Sequence, residues 1–568
     1  MNKEKTIDRH CDVLVIGSGA GGLATAITAR KAGLKVIVLE KDNVFGGTTA
    51  LSGGVLWIPG NAHAAARNVN DSSDAARTYL RHEAGELYDE EEIDAYLEYG
   101  PQMLNFFENE TEVKFIATDY PDYHPDNPGG ADIGRSVVAA PYNARALGPE
   151  IKRLRPPLES ITFMGMMFNS TNRELRHFFN VTKSLTSALY VTKKLVAHFA
   201  AVMRYGRGIQ ITGGNALVAR LAKTAFDLEI PIITGAHAQE LLLTDGAVTG
   251  AKVTIDGLQA EFEANMAVVL ACGGFSQNQE RLKTVYPHVS RGAMHSSLAP
   301  VGNVGDGIDL AEGAGAKFAP CLSQPAAWMP ASIIPGKGGR TATYPHIVDR
   351  YKPGVIAVSP EGRRFTNEAN SYHDFGCAML RECGAQPYSW LICDHRTIRK
   401  YGLGFVKPAP VPLGSHVRSG YLKKAPTLVA LAKTIGVDPA ALEATVELYN
   451  TDAAKGEDLE FARGSTSFNR FLGDGDHKPN PNVAPVDSAP FYAIKVVMGD
   501  IGTFDGIATD VNGHVLRPDQ TAIKGLFAVG SDRMSIMGGN YPGAGITLGP
   551  AMTFGYITGR YIASSATM

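Results

Sequence analysis

A run of six residues near the N-terminus, Gly17-Ser18-Gly19-Ala20-Gly21-Gly22, narrows the fold more than any other feature of the chain. It follows directly on Cys11 to Ile16 (CDVLVI), a short apolar, β-branched stretch, and leads into Leu23 to Ala32, which reads as a helix. Strand, tight turn and helix in that order open a Rossmann-type α/β fold. Gly17 permits the turn, Gly19 lets backbone approach a pyrophosphate, and Gly22 lets helix and strand pack closely. The helix start then faces the phosphates with unsatisfied N–H groups and a partial positive charge. A second apolar strand, Lys35 to Leu39, ends at Glu40, whose carboxylate suits a ribose hydroxyl. The spacing predicts a dinucleotide site built on Gly17, Ser18, Gly19, Ala20, Gly21, Gly22 and Glu40.

A chain of 568 residues exceeds one ordinary core, so two domains are expected, with segments folded back across the sequence. The balance of 44% hydrophobic and 20% charged residues is that of a globular protein. A net charge of -3 offers no pull on polyanions, which argues against nucleic acid as a partner. The six cysteines include no C-x-x-C pair and the fifteen histidines no H-E-x-x-H, so no metal centre is expected. Met1 to His10 is polar and lacks the apolar run of a secretory signal, and no stretch reaches the roughly 18 to 20 apolar residues of a membrane span. Free thiols in a reducing cytoplasm are the consistent reading.

After Glu40 come Lys41 and then Phe45-Gly46-Gly47-Thr48-Thr49-Ala50-Leu51-Ser52-Gly53-Gly54. Small residues and hydroxyls here suit a chain lying along a pyrophosphate and an isoalloxazine, which favours FAD over NAD. In this segment the sequence resembles the flavoprotein superfamily of fumarate reductase and 3-ketosteroid dehydrogenase. The pattern recurs where an apolar strand runs into Ala271-Cys272-Gly273-Gly274-Phe275, at Gly302-Asn303-Val304-Gly305-Asp306-Gly307, and at Gly525 to Asp532. The resemblance implies non-covalent FAD, with Lys41, Gly47, Thr48, Thr49, Ser52, Gly53, Gly54, Ala238, Ala271, Gly273, Asp306, Gly530, Ser531, Asp532 and Leu548 joining the first set of cofactor residues. It also implies a discontinuous Rossmann-type FAD-binding domain, 1–330 and 492–568, interrupted by an α+β catalytic domain at 331–491.

Three more segments resemble the 3-ketosteroid Δ1-dehydrogenases: Tyr120-Pro121-Asp122-Tyr123, Phe365 to Tyr372 (FTNEANSY), and Asn540-Tyr541-Pro542-Gly543-Ala544-Gly545. Removing hydrogen from C1 and C2 of a 3-ketosteroid requires an acidified C2 proton, a base and a hydride acceptor. The resemblance assigns the donors to the C3 carbonyl oxygen to the Tyr541 hydroxyl and the Gly545 backbone N–H, the base to Tyr372, and its hydrogen-bonding partner to Tyr123. A phenol of pKa near ~10 is a poor base unless its anion is stabilised, so a donor beside it is a physical requirement. Glycine at 545 is expected because a side chain there would crowd the steroid ring and restrict the turn that aims the N–H, and Leu548 to Ala563 reads as a helix. The family's last motif often carries a second proline where Ala544 stands, a departure that bears on loop rigidity and substrate affinity rather than on the reaction. The alternative within the superfamily is fumarate reduction, which needs arginine and histidine groups for two carboxylates; Arg363 and Arg364 lie near Tyr372 in sequence. The alternative of another class is a non-catalytic, membrane-associated flavin sensor. The resemblance also implies an external electron acceptor that reoxidises the flavin.

The stretch from about 145 to 210 differs from the rest. Ile161 to Phe168 is rich in Met and Phe, and Arg173 to Arg207 carries Arg173, Arg176, Lys183, Lys193, Lys194, Arg204 and Arg207 against the single acid Glu174. Leu175, Phe178, Phe179, Leu185, Leu189, Leu195, Val196, Phe199 and Val202 recur at helical spacing. Two readings stand: a basic amphipathic helix lying peripherally on the inner face of the cytoplasmic membrane, or an ordinary helical hairpin packed on the protein or at a subunit interface.

Overall fold

The computed structural model describes residues 9–167, 177, 184–318 and 320–566. The apolar run CDVLVI lies in β1 (His10–Ile16), inside an eight-stranded sheet. Its neighbours are β2 (Val36–Glu40) and the strand Leu258–Leu270, both parallel, with Val13 opposite Val36 and Leu14 opposite Val268. Ile232–Thr234 extends the sheet beyond β2, and Ala522–Ala528 extends it beyond the long strand, again in parallel. Strands covered on both faces read as continuous apolar runs, which is why β2 and the Ala267–Leu270 end of the long strand lack alternation, whereas the first half of that strand alternates. A hairpin, Ala236–Thr244 with Ala247–Ile255, pairs antiparallel with the long strand.

The helix α1 (Ala20–Lys31) is buried from Ala20 through Ala29, wedged between sheet and the helix Leu548–Ser565. A Cβ at Gly555 would stand 2.6 Å from the Gly21 carbonyl oxygen, and one at Gly559 2.8 Å from the Thr28 Cβ. Only residues without side chains allow that approach, so the last helix of the chain is docked against the first. Ile16 pairs with Leu39 and Leu270, and Leu270 with Ala528, so the parallel strands end side by side and their turns open on one edge. That edge is where this architecture places its ligand.

A second, antiparallel sheet runs Thr341–Pro345, Ala331–Pro335, Phe491–Val497, Tyr388–Cys393, Val355–Val358, with Lys423–Ala425 also on Phe491–Val497. The boundary expected at 491/492 falls at the start of Phe491–Val497, which pairs with three strands of this sheet. The chain turns back only beyond it, where Asp500–Thr503 pairs with Ala326–Trp328.

The basic segment leaves and returns through a narrow neck, Tyr142–Asn143 paired antiparallel with Gln210–Ile211. Within it the helix Leu185–Tyr205 starts at an N-cap Ser184 that accepts from Ser187 N–H and ends at Gly206 in the left-handed conformation. Arg173, Leu175, Arg176, Phe178, Phe179 and Lys183 lie outside the described residues. Among the described residues no helix is long and apolar enough to cross a membrane.

Candidate active site

The sequence segments singled out for cofactor and substrate converge on one cavity at the open edge of the parallel sheet. It is lined by Gly17 through Gly22, Glu40, Lys41, Gly47, Thr48, Thr49, Ser52, Gly53, Gly54, Ala238, Ala271, Gly273, Asp306, Gly530, Ser531 and Leu548, and by Tyr123, Tyr372, Tyr541 and Gly545. Asp532 is the exception. Fully buried, it turns its carboxylate to the backbone N–H groups of Cys272 and Gly274 and so shapes the loop that faces the cavity.

At the strand ends the geometry is that of a phosphate cradle. Gly17 has φ +116°, and a Cβ there would overlap the Ala271 carbonyl at 2.0 Å, so the turn tolerates glycine alone. A Cβ at Gly19 or Gly47 would approach no atom outside its chain neighbours closer than 3.6 Å, and one at Gly530 none within 4 Å, so their missing side chains leave open cavity floor. The N-cap of α1 is Gly19, with no side chain to cap its N–H groups. Thr49 Oγ1 accepts from Ala20 N–H at 3.0 Å, and Asn303 donates to Thr48 Oγ1 at 3.0 Å, tying the hydroxyl-rich segment to the helix and to the Gly273 loop. Glu40 accepts from the Ser18 hydroxyl; burial raises its carboxyl above the ordinary range against that hydrogen bond. Lys41 pairs with Asp306, and Arg155 with Asp42. These features fit a dinucleotide: the N-terminus of α1 would hold its pyrophosphate, and Glu40 would accept from its ribose.

The other end of the cavity is aromatic and apolar. Tyr372 is the first residue of the helix Tyr372–Glu382, whose N-cap Ser371 accepts from Asp374 N–H. The Tyr123 hydroxyl donates to the Tyr372 hydroxyl at 3.3 Å. The Tyr541 ring stacks on Tyr123 at 5.4 Å and meets Tyr372 edge-on at 5.0 Å. The segments are stitched together by Tyr123 N–H donating to the Pro542 carbonyl at 2.8 Å. All three rings are buried, and burial pushes all three phenols above their ordinary value, Tyr372 furthered by its two tyrosine neighbours.

Gly545 has φ +101°, and a Cβ there would stand 2.5 Å from the Val55 carbonyl oxygen. The reason for glycine is thus the strand Val55–Trp57 behind it, not crowding of the cavity. Gly545 accepts from Trp57 N–H at 3.2 Å and from Gly549 N–H at 2.8 Å, while its own N–H has no protein acceptor among the described residues. The helix Leu548–Ser565 begins three residues on, with its uncapped N-terminus at the cavity wall.

Around the tyrosines the wall is Tyr120, Leu158, Ile161, Leu298, Met329, Ile347, Tyr351, Phe468, Leu472 and Ile501. The ionisable acid, base and imidazole side chains lining the cavity, Glu40, Lys41, Asp42, Arg155, His237 and Asp306, belong to the end where Glu40 stands, and none lies among the described residues around the tyrosines. Arg364 is committed to a buried fork with Glu368 and Asp458, and Arg363 is exposed; neither lines the cavity. Leu158, Phe468, Leu472 and Ile501 escape sequence reasoning because they sit in or beside elements of three to five residues, such as the helix Ser467–Phe471 and the strand Asp500–Thr503, too short to carry a periodic signal.

Comparison with known proteins agrees with this geometry. The model of the FAD binding domain family matches residues 12–548. A 4-oxocyclohex-2-ene-1-carboxylate 5-dehydrogenase of Sinomonas cyclohexanicum is 42% identical, covering 100% of this chain and 96% of its own. A 3-oxosteroid 1-dehydrogenase of Mycolicibacterium smegmatis is 36% identical over 98% of this chain and 97% of its own. Among solved structures, the 3-ketosteroid Δ1-dehydrogenase of Sterolibacterium denitrificans in complex with 1,4-androstadiene-3,17-dione superposes with a TM-score of 0.88 at 34% identity, over 98% of this chain and 100% of that one. The cofactor is FAD, and the chemistry is flavin-dependent oxidoreduction at a CH–CH bond. The chain belongs to the 3-ketosteroid Δ1-dehydrogenase family of FAD-dependent flavoproteins, within the fumarate reductase superfamily.

Proposed function

We propose that this protein desaturates ring A of a 3-ketosteroid between C1 and C2, converting a 3-keto-4-ene to the 1,4-diene. The observation that carries the reading is the cluster of Tyr123, Tyr372 and Tyr541 at an apolar cavity end where Gly545 offers a free N–H. The Tyr541 hydroxyl and Gly545 N–H donate to the C3 carbonyl oxygen and stabilise negative charge as it grows there; one such donor contributes about 2.7–4 kcal/mol in the transition state. Tyr372 takes the C2 proton, helped by the hydrogen bond from Tyr123. FAD supplies the acceptor for the hydride that leaves C1. The apolar wall excludes water, which strengthens every hydrogen bond to the developing oxyanion.

The relative that acts on an oxocyclohexene carboxylate supports a second substrate, a small ring ketone bearing a carboxylate. The chemistry beside the ketone is the same, and the tyrosines would keep their roles. An apolar tetracycle suits the described wall better, because a carboxylate there would meet no cationic side chain. Fumarate, with two carboxylates, fits less well still. Anaerobic bleaching of the flavin by a 3-keto-4-ene steroid, by 4-oxocyclohexanecarboxylate and by succinate separates the three. Bleaching by the carboxylate ketone alone would replace the steroid assignment, and bleaching by succinate alone would remove the ring-ketone chemistry.

We infer also that the helix Leu185–Tyr205 makes peripheral contact with anionic lipid. Leu185, Leu189, Val196, Phe199 and Met203 are exposed along one face, with the exposed Lys193 and Arg204 beside them. Ile161, on the same excursion, is itself exposed and also lines the cavity, so an apolar substrate would enter from that side.

A further inference from the structure

Tyr123 and Tyr372 are 249 residues apart in sequence, and one hydroxyl–hydroxyl contact at 3.3 Å is too weak to keep two segments in register. Immediately behind the pair stands His124. Its Nδ1 lies 2.9 Å from Glu83 Oε2 and its Nε2 3.0 Å from Asp374 Oδ2. Asp374 is the third residue of the helix that opens on Tyr372, and the same Oδ2 accepts from the N-cap Ser371 hydroxyl at 2.7 Å. Glu83 also accepts from the Asn127 amide at 2.8 Å. A histidine between two carboxylates donates from both nitrogens, which makes it an imidazolium. Burial opposes that charge, but Asp374 and Glu83 outweigh it and push His124 up to about 11.

The backbone of the same residue reaches the third tyrosine. His124 N–H donates to the Tyr79 hydroxyl at 3.2 Å, which donates to the Pro542 carbonyl at 2.7 Å. On the other flank Asp122 accepts from Trp57 Nε1 and from Arg135 Nη1, each at 2.7 Å. Tyr123 therefore sits between two ionic anchors. His124 does not line the cavity, and both of its ring nitrogens already carry protons, so it cannot itself take the substrate's proton.

We propose that His124 is a positioning residue for proton abstraction: through Glu83 and Asp374 it clamps the Tyr123 segment against the start of the Tyr372 helix, fixing the two hydroxyls relative to the substrate carbon. This rests on the reading of Tyr372 as the base. Misplacement of reacting groups by about 1 Å costs about 100-fold in rate, and the clamp acts on the proton-transfer step alone.

The test uses FAD-loaded holoenzyme, an artificial electron acceptor and a 3-keto-4-ene steroid with hydrogen or deuterium at C2. For His124→Leu we expect kcat to fall about 30- to 100-fold with KM within about twofold, and the C2 isotope effect to rise as proton abstraction becomes limiting. Asp374→Asn keeps a helix cap and drops one charge; it should lose less, about threefold to tenfold, with the same rise in isotope effect, and it decides the matter if His124→Leu is recovered without FAD. A merely structural role would lower FAD content or raise KM and leave the isotope effect where it was. If the parent ignores the steroid, the proposed substrate fails and the same comparison is run with 4-oxocyclohexanecarboxylate deuterated beside its ketone. If Tyr372→Phe turns over like the parent, the reading of the base fails. The clamp itself is overturned if Tyr372→Phe is inactive while both clamp variants keep the parent's kcat and isotope effect.

Discussion

The tyrosine cluster and the helix Leu185–Tyr205 use the same kind of residue to opposite ends. At the cluster, large rings from three distant segments are buried to 8% exposure or less, and the backbone beside them is hydrogen-bonded across the segments. On the helix, Leu185 is 78% and Met203 84% exposed, on a face whose spacing would suit any buried helix. Periodicity specifies a face, but only long-range packing specifies what covers it. Substitutions at the cluster should therefore act on chemistry with the fold intact, whereas substitutions on the helix face should touch neither.

The largest effect is expected at Tyr372. Tyr372→Phe removes the base but keeps the ring contacts to Tyr123 and Tyr541, so the anaerobic rate of flavin bleaching should fall about 10²- to 10⁴-fold with FAD content unchanged. Tyr541→Phe removes one donor to the carbonyl oxygen and should cost about 10²- to 10³-fold in kcat. A loss of FAD in either variant would mean that the rings hold the fold as well as the substrate, and the contrast with the helix would blur.

The pH profile sharpens the same point. Burial raises the Tyr372 phenol well above its ordinary value, so the proton is bound across the neutral range. The basic form then grows about tenfold per pH unit below that pKa, and kcat should climb with pH through the neutral and mildly alkaline range in the parent. A flat profile for kcat would mean that the proton leaves Tyr372 by another route during turnover.

Gly545 separates chemistry from packing. With φ +101° and the Val55 carbonyl 2.5 Å from any Cβ, Gly545→Ala strains the turn and should lower unfolding stability by about 1–3 kcal/mol, read as a drop in Tm. Activity lost without a change in Tm would restore the view that a side chain there obstructs the substrate.

Much of this was legible in sequence where the signal is contiguous. The glycine turn, β1, α1, β2 and Glu40 lie within thirty-odd residues, and the crossover follows from their order. The tyrosines were legible only through resemblance, since nothing local distinguishes Tyr372 from any other tyrosine. Three things were not legible. The apolar wall is assembled from Leu158, Leu298, Met329, Phe468 and Ile501, single residues of unrelated segments. Asp532 looks like a cofactor ligand in its motif but turns to the backbone of the Cys272 loop. Phe491–Val497 alternates too little to reveal which sheet it joins, because its neighbours bury both of its faces except at Lys495.

The smallest effect on activity is expected at the helix. Replacing Leu189 and Val196 together with Glu puts two charges on a face that touches water in the free protein, each site 65% exposed. Surface changes of this kind shift stability by no more than about 0.5 kcal/mol, and neither side chain lines the cavity, so Tm and turnover of a soluble substrate should stay at the parent's values. Co-sedimentation with anionic vesicles should disappear, because the apolar face no longer enters the acyl boundary and the added carboxylates oppose the headgroup charge. Turnover of a long-chain steroid presented in those vesicles should fall with it, since Ile161 places the same excursion at the cavity wall. If the variant sediments like the parent, the helix face serves some other surface, and its exposure no longer links lipid to the site. If binding is lost but turnover from vesicles is kept, the substrate reaches the tyrosines through water, and the two regions work independently.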